Sequence, residues 1–429
     1  MKSRKKRLEA GHPWIYRSEI ETVLEGPHTG DIVKIKNHQG HVLGQGFYHE
    51  TSQIAVRIAT YDPSEKVDAK WFRSRVATAF AYRKRFLKDT SACRAVYGEA
   101  DGLPGLIVDK YNDVAVVQIL SSAMDMRRDW IIATLRDVLG VKGIYERSDA
   151  PTRLREGLAE QVGCLWGTCE ETVTILENGL HFEVDIVHGQ KTGHFFDQRD
   201  NRMAIAPLVR FAADEKPRPD QRFDPDEAPL NRMQSPTSGR VGAHVLDCFS
   251  HTGGFGIHAA HFGAGKVIMV DQSEAAIEAA RRNASLNGLD DRCEFVIQNV
   301  FDLLREYEKA GTLFDVVILD PPAFAKNRAS IDNALRGYRD INLRALRIIK
   351  DNGFLVTASC SSHVTQEMWK ETIAEAAMDA HKVLRLIEYR SAAKDHPQLI
   401  GMAENDYLKF AMYYVQSRNV KTGSSSHTK

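Results

Sequence analysis

Asp320-Pro321-Pro322-Ala323-Phe324 and Cys360 are the residues whose types and placement point most directly to chemistry. The first group follows an apolar run from Phe314 to Leu319. Asp320 is therefore expected at the carboxyl end of a buried strand, where parallel sheets bind their ligands. Two prolines then hold the next stretch of backbone, with fixed φ and no N–H to donate. That arrangement suits gripping the hydrogen-bonding edge of a flat heterocycle, with Phe324 placed to stack on it. Pro321, Pro322 and Phe324 are accordingly expected to contact substrate. A second apolar run, from Gly353 to Ser359, ends in Cys360 among hydroxyl residues, at the level expected for Asp320. A lone buried cysteine is commonly mere packing. Here, however, a thiolate suits attack on carbon 6 of a pyrimidine, whose carbon 5 is otherwise too inert to take a methyl group. Attack would make carbon 5 carbanion-like and able to accept a sulfonium methyl. Loss of the carbon 5 proton and elimination of Cys360 would then restore the ring. The other five cysteines, at 93, 164, 169, 248 and 293, lack such placement and are expected to be structural.

The elements that must position these groups are legible upstream. Residues 245–249 read as a buried strand leading into Ser250-His251-Thr252-Gly253-Gly254-Phe255-Gly256, with a helix to about residue 262. Small residues at a strand-to-helix turn let backbone approach a ligand and aim helix N–H groups at it. Lys266 to Asp271 reads as a second strand ending in an acid. In doubly wound sheets, an acid about 20 residues past such a turn accepts hydrogen bonds from a ribose. Ser273 caps the next helix, which closes with Asn283 and Asn287-Gly288. A dinucleotide-binding dehydrogenase would share this outline. The turn is Gly-Gly-x-Gly rather than Gly-x-Gly-x-x-Gly, and no phosphate-binding Lys-Ser/Thr follows, so a ligand without phosphates fits as well.

At 429 residues the chain exceeds what one core usually supports. Residues 1–70 look like a small β module, with alternating segments at 31–36 and 53–58 punctuated by Gly26-Pro27, Gly40, Gly44 and Gly46. Residues 71–185 mix a basic helix at 71–88, a glycine-rich turn at 101–105, short strands and an amphipathic helix at about 124–139, an α+β pattern without obvious chemistry. Residues 186–417 alternate strand and helix, the signature of a parallel sheet. Five of the fourteen prolines fall in 213–240, read as an extended surface insertion, and residues 418–429 as a disordered tail. The fold class is thus α/β, a Rossmann-like domain preceded by a β-barrel-like module and an α+β domain.

Bulk properties exclude other classes. No run of 18 or more apolar residues exists, so no membrane span is expected. The basic start, Met1 to Arg7, leads into no signal core. No Cys-x-x-Cys pair occurs among the six cysteines, which argues against zinc and a disulfide framework; no metal and a reducing cytoplasmic setting are expected. The 57 basic and 57 acidic residues balance, so charge distribution decides more than the sum. Arg73, Arg75, Arg83, Lys84, Arg85 and Lys88 form the main basic cluster, which could be a solvated face or an RNA-binding one. A homodimer through the N-terminal or central segments is compatible with the sequence, but no stripe specifies it.

Asp247-Cys-Phe-Ser-His-Thr-Gly-Gly-Phe255, Asp320-Pro-Pro-Ala-Phe324, Arg336-Gly-Tyr-Arg-Asp-Ile-Asn342 and Ser359-Cys-Ser361 together resemble the RlmI-type bacterial methyltransferases. So do Lys191 to Arg202, Asp395-His-Pro397 and Tyr407-Leu-Lys409. That family makes 5-methylcytosine in large-subunit (23S) ribosomal RNA. The likeness spans essentially the whole chain except 213–240 and the tail. Gly11-His-Pro-Trp-Ile-Tyr16 resembles the opening of the family's RNA-binding PUA domain, and Glu99 to Leu106 its central α+β domain. The resemblance implies an S-adenosyl-L-methionine site, with Phe249, Ser250, Thr252 and Gly253 at the methionine end and Asp271 at the ribose. Asn299 would face the adenine, and Gln198 and Arg199 would close over the cofactor. Asp320 would orient the base beside the cofactor, with Cys360 as nucleophile. This chain has amides at 298 and 299 where the family commonly has acids, and Ala323 where it usually has lysine; Lys326 has no assigned role. The PUA module and basic helix would grip RNA phosphates while the target base is flipped into the pocket. His12, Trp14 and Tyr16 could stack on RNA, although core packing better suits Trp14. Three alternatives remain: a guanine exocyclic-amine (N2) methyltransferase, which would need no cysteine; a uracil-C5 enzyme, which would keep it; and a non-catalytic RNA-binding assembly factor.

Overall fold

The computed structural model describes residues 7–8, 10–213, 242–325 and 327–418. The basic start up to residue 6, most of the 213–240 insertion, Lys326 and the tail from 419 lie outside the described residues. The chain forms two compact units, Met1–Asp200 with Ala392–Asp406, and Asn201–Ser391 with Tyr407–Lys429.

In the first unit, β1 (Trp14–Tyr16), β2 (Ile32–Lys36), β3 (Val42–Tyr48) and β4 (Ile54–Thr60) form an antiparallel sheet in the order β1-β4-β3-β2. The period-2 segments of the sequence are the strands β2 and β4. A second sheet, β5-β6-β7-β8-β9 (Ala92–Tyr97, Leu106–Tyr111, Val114–Ile119, Gly143–Ser148 and Gln161–Gly167), is antiparallel except for the parallel β7–β8 pair. The basic helix runs Ala69–Phe86, capped by the Asp68 carboxylate, which accepts from the N–H groups of Lys70 and Trp71. Its apolar side, Trp71, Phe72, Val76 and Ala79, packs with Val96, Val108 and Ile144. Phe47 and Ala59 of the first sheet join the same cluster, so the β module and the α+β segment share a core. The helix expected at 124–139 is broken into Ser122–Asp125 and Arg128–Leu139. A hairpin, β10 (Thr172–Glu177) and β11 (Leu180–Asp185), closes through Asn178 and Gly179, both at positive φ, as a tight two-residue turn demands.

The interior of this unit is unusually polar. Arg83, Arg153 and Arg199 are essentially fully buried. Arg83 meets Asp101 at 2.6 Å and the carbonyls of Arg94 and Asp395. It therefore leaves the basic RNA-facing cluster in which the sequence places it: a buried, paired guanidinium offers no surface charge. Arg199 donates to Asp395 at 2.8 Å and to the Ala92 carbonyl, with Glu177 3.7 Å away. Asp395 also meets His396 Nδ1 and the Arg94 N–H, both at 3.0 Å.

The second unit holds β12 (His244–Cys248), β13 (Lys266–Asp271), β14 (Cys293–Ile297), β15 (Phe314–Leu319), β16 (Ile349–Ser359), β17 (Lys382–Arg390) and β18 (Lys409–Ser417). They form one sheet in the order β14-β13-β12-β15-β16-β18-β17. The first five are parallel; β18 runs antiparallel between β16 and β17. Parallel strands are covered on both faces, which explains why Val245–Leu246 and Val316–Leu319 read as continuous apolar runs rather than alternating ones. Helices Val300–Ala310, Ile331–Ile348 and Gln366–Asp379 supply Leu304, Tyr338, Ile341, Trp369 and Ile373 to a core shared with these strands. The strand order reverses between β12 and β15, and both ends carry the residues singled out from sequence. No helix among the described residues is long and apolar enough to cross a membrane.

Burial pushes the Asp395 carboxyl up, but the Arg199 guanidinium and His396 outweigh it and hold the group well below the usual carboxylate range. A carboxyl depressed on folding contributes stability above its unfolded pKa, near 4, and loses it as pH falls toward the folded value. Asp395→Asn is expected to cost about 3 kcal/mol at neutral pH, because a buried cation loses its closest partner. It should also flatten the acid limb of the stability curve below about pH 4. Denaturant titrations of both proteins between pH 3 and 7 test this, and parallel acid limbs would refute it.

Candidate active site

The turn after β12 is built from strained backbone. Phe249 (φ 61°), His251 (φ 48°) and Gly253 (φ 85°) all take left-handed conformations within five residues. For a bulky residue such as Phe249 this is a real steric cost, kept only where surroundings impose it. Here Ser250 N–H donates to the Val270 carbonyl at 2.9 Å, and Gly253 N–H to the Ser250 carbonyl at 2.8 Å. The Asp271 carboxylate accepts from His251 N–H and Ser273 N–H, each at 3.0 Å, so the acid ending β13 ties two loops together. Asn283 is fully buried and donates to the Thr252 carbonyl at 3.1 Å. The sequence marks Asn283 only as a helix-end signal; its clamp on the turn needs the fold. A side chain at Gly253 would press on Ala280 and Met269, each 3.1 Å away, and one at Gly256 would meet Met269 at 2.5 Å. The glycines thus let helix Gly254–His261 lie close to β13.

Asp247, buried at the end of β12, accepts from Gly256 N–H at 2.7 Å through one oxygen. Its other carboxylate oxygen and the Ser250 hydroxyl are buried with no hydrogen-bond partner among the described residues. Burial raises the Asp247 carboxyl well above its ordinary value. Asn299 is exposed and caps helix Val300–Ala310, its amide oxygen accepting from Phe301 N–H at 2.9 Å. Gln298 reaches Glu306 at 3.0 Å.

The second half of the site hangs from β15 and β16. Asp320 N–H lies 3.4 Å from the Cys248 carbonyl, which joins the Asp-Pro-Pro segment to the glycine turn. Pro321 is buried and Pro322 exposed. Cys360, partly buried, has its Sγ 3.7 Å from the Pro321 carbonyl. The Asp-Pro-Pro segment and Cys360 therefore adjoin, at the common level that the sequence predicts for them. Phe324 is half-buried, its ring 4.7 Å from that of Tyr338, 6.0 Å from Phe301 and 6.5 Å from Phe249. Its position is thus set by an aromatic cluster as well as by any ligand.

Cys360 is held from both flanks. Ser359 Oγ donates to the Tyr338 hydroxyl at 3.0 Å, and that hydroxyl lies 2.9 Å from Ser361 Oγ. Ser361 Oγ also accepts from Ala325 N–H at 3.1 Å. The buried Lys409 ammonium donates to the carbonyls of Ser361 and Val364 at 2.7 and 2.9 Å. Burial pushes the Tyr338 phenol up, so it remains a protonated donor. Tyr338 and Lys409 were not singled out from sequence, although both lie in the quoted motifs Arg336 to Asn342 and Tyr407 to Lys409.

The remaining residues singled out from sequence lie in the first unit. Gln198 and Arg199 belong to the first unit and are buried; the Arg199 guanidinium is engaged by Asp395, Ala92 and Glu177. His12 is buried, with Nδ1 accepting from Trp14 N–H, so it is not a surface stacker. Trp14 donates to Glu99 at 2.8 Å, in line with a packing role. Among the cysteines read as structural, Cys164 departs: it is exposed, with its Sγ 2.7 Å from that of Cys169.

A doubly wound sheet with a glycine turn and closing acid at its switch point is an outline that dinucleotide-binding domains and S-adenosyl-L-methionine-dependent methyltransferase domains share, and the relatives of the chain decide for the second. Residues 240–402 match a family model described as a methyltransferase domain, and residues 1–61 one described as a PUA-like domain. The chain is 40% identical over 413 residues to ribosomal RNA large subunit methyltransferase I of Tolumonas auensis, covering 95% of this chain and 96% of that one. The Aeromonas salmonicida protein of the same name matches at the same identity and coverage. The chain belongs to the family of ribosomal RNA large subunit methyltransferase I. Its fold is shared with a chain described as an S-adenosylmethionine-dependent methyltransferase from Streptococcus mutans (20% identity, TM-score 0.75, 96% and 98% of the two chains). A methyltransferase solved with S-adenosylhomocysteine is equally similar (21% identity, TM-score 0.76, 96% and 97%).

The residues present fit this cofactor. The two orphaned oxygens, of Asp247 and Ser250, lie where β12 gives way to the turn, and buried polar atoms of this kind call for a ligand's polar groups. Tyr338→Phe tests the support around Cys360. It removes only the hydroxyl shared by Ser359 and Ser361, and is expected to lower turnover about tenfold through misplacement of the thiol. Cofactor affinity, measured by calorimetry, should be unchanged; full turnover would show that Cys360 needs no such support.

Proposed function

We propose that this protein methylates carbon 5 of a cytosine in large-subunit ribosomal RNA, with Cys360 as a covalent nucleophile. The observation that carries the reading is the Cys360 thiol beside Pro321 of the Asp-Pro-Pro segment, with both neighbours of the cysteine tied to Tyr338. An exocyclic amine carries its own lone pair and needs no such thiol, so this placement favours a ring carbon. The RNA substrate is supported by the names of the relatives and by the PUA-like segment. Cytosine rather than uracil follows the family resemblance.

The cofactor's contribution is an electrophilic methyl group on a sulfonium centre. Cys360 adds as thiolate to carbon 6, and the double-bond pair moves to carbon 5, making it nucleophilic. Asp320 is assigned to hold the amino and ring-nitrogen edge of the base, while the rigid Pro321-Pro322 backbone limits its tilt. Once carbon 5 carries the methyl group, its proton passes to a water molecule, the freed electron pair forms the carbon 5–carbon 6 double bond and Cys360 leaves as thiolate, restoring the aromatic ring. Ser250, Thr252, Gly253, Asp271 and Asn299 are assigned to the cofactor, with Phe249 between the two halves. Phe324, already anchored on Tyr338, is assigned to the face of the base.

Mass mapping of ribosomal RNA nucleosides from a deletion strain and its parent is expected to show loss of one 5-methylcytidine. Cys360→Ala should abolish its formation with cofactor binding intact. Asp320→Ala should cut turnover by about 100-fold with little change in melting temperature. A fully active Cys360→Ala protein would reject the covalent route and point to an amine target instead.

A further inference from the structure

A cavity of about 440 Å³ opens in the first unit, and none of the residues assigned to the cofactor or the target base lines it. It lies among the end of β4, the helix Ala69–Phe86, the turn at 98–102 and the stretch around Pro397 and Leu399. Its most prominent walls are two tyrosines. Tyr61 is 48% exposed and Tyr82 37%. Tyr82 is extended by Phe86, 46% exposed, whose ring lies 4.9 Å from it. Along the helix Arg75, Thr78, Tyr82 and Phe86 follow at spacings of three and four, so they share one face. The buried side of the same helix is carried by Phe72, Val76 and Arg83. Packing alone does not require large aromatic rings on the exposed face.

The lining charges are paired within the unit, so the aromatic faces select the occupant. Two carboxylates reach the cavity wall, Glu99 and Asp101, and both are compensated from within the unit. Glu99 accepts from Trp14 Nε1 at 2.8 Å and from Arg57 at 3.0 Å. Asp101 accepts from Arg83 and from Tyr97 N–H, both at 2.6 Å. The lining cation is Arg75, shared with Glu65 at 2.8 Å, and the exposed Arg85 and Lys88 follow Tyr82 by three and six residues. Aromatic faces bordered by cations form the combination that holds unpaired nucleotides: bases stack and phosphates meet the charge. A duplex keeps its base faces stacked on each other and would gain nothing from the tyrosines. The cavity also falls within the size range of small-ligand sites.

We propose that this cavity binds an unpaired nucleotide of the RNA substrate, with its base against Tyr82 and Tyr61 and its backbone along Arg75 and Arg85. It would be an anchoring subsite separate from the methylation centre. The proposal rests on the reading of the substrate as RNA, and its failure can be told from failure of that reading.

The test uses the full chain with a fluorescein-labelled ten-nucleotide single-stranded RNA and a blunt RNA duplex of equal length. Tyr82→Ala and Tyr61→Ala are each expected to weaken single-strand binding about tenfold. Duplex binding and melting temperature should be unchanged, and Tyr82→Phe, which keeps the ring, should bind as wild type. With a ribosomal RNA transcript, KM should rise and kcat stay constant. Wild-type single-strand affinity in the Tyr61→Ala/Tyr82→Ala protein would overturn the proposal. So would equal losses for both RNAs, which would mark a general structural effect. Self-association that the substitutions abolish, with RNA affinity intact, would assign the cavity to a second copy of the chain and overturn it too. A chain that methylates no ribosomal RNA yet loses single-strand binding through these tyrosines would refute the proposed function and keep the subsite.

Discussion

Parallel pairing of β12 with β15 is the constraint on which the site depends. Cys248 stands opposite Leu319, so the residues that leave the sheet next, Phe249 on one strand and Asp320 on the other, emerge at one level. The chain runs outward from β12 to β13 and β14 in one direction and from β15 to β16 in the other. A crevice at such a reversal is a property of strand order, available before any side chain is chosen. Pairing of Leu319 with Thr357 then brings the end of β16, and with it Cys360, to the same rim.

The rim is stiffened in two ways. On the cofactor half the cost is backbone strain: Phe249 and His251 sit at positive φ, offset by hydrogen bonds from β13 and by the carboxylate of Asp271. On the other half rigidity comes from proline and from a buried hydroxyl network. Tyr338 bridges Ser359 and Ser361, while Lys409 fastens the carbonyls beyond. Networks of this kind specify one arrangement only when every member is satisfied, and the three hydroxyls here satisfy one another. A nucleophile that must approach a ring carbon along one direction benefits from having both neighbours fixed.

The first unit solves a different problem. It carries a polar interior in which Arg83, Arg153 and Arg199 are buried among carboxylates and carbonyls. Buried charges of this type add little net stability compared with apolar residues, but removing one partner is costly. They therefore resist substitution for structural reasons alone, so motifs such as Asp395-His-Pro can mark architecture as well as catalysis.

Local pattern was enough to read much of this protein from its sequence. Apolar runs of strand length, the glycine turn, the acid closing β13 and the prolines after Asp320 are all written in neighbouring residues, since strand burial, turn geometry and fixed φ act over a few residues at most. The place of Cys360 beside Asp-Pro-Pro was also inferable, because both end apolar strands. What sequence could not supply were the partners brought together across long separations. Tyr338 with Ser359, Lys409 with Ser361 and Arg199 with Asp395 meet only after the sheet order is set. For the same reason Arg83 looked like a surface cation: helical spacing tells which residues share a face, but not that a carboxylate from another element will meet that face in the core. Residue types and short-range periodicity determined the chemistry at hand, a carboxylate, a thiol and an open turn. Tertiary pairing alone decided which groups hold them in place, because a hydrogen bond depends on distance in space and not along the chain.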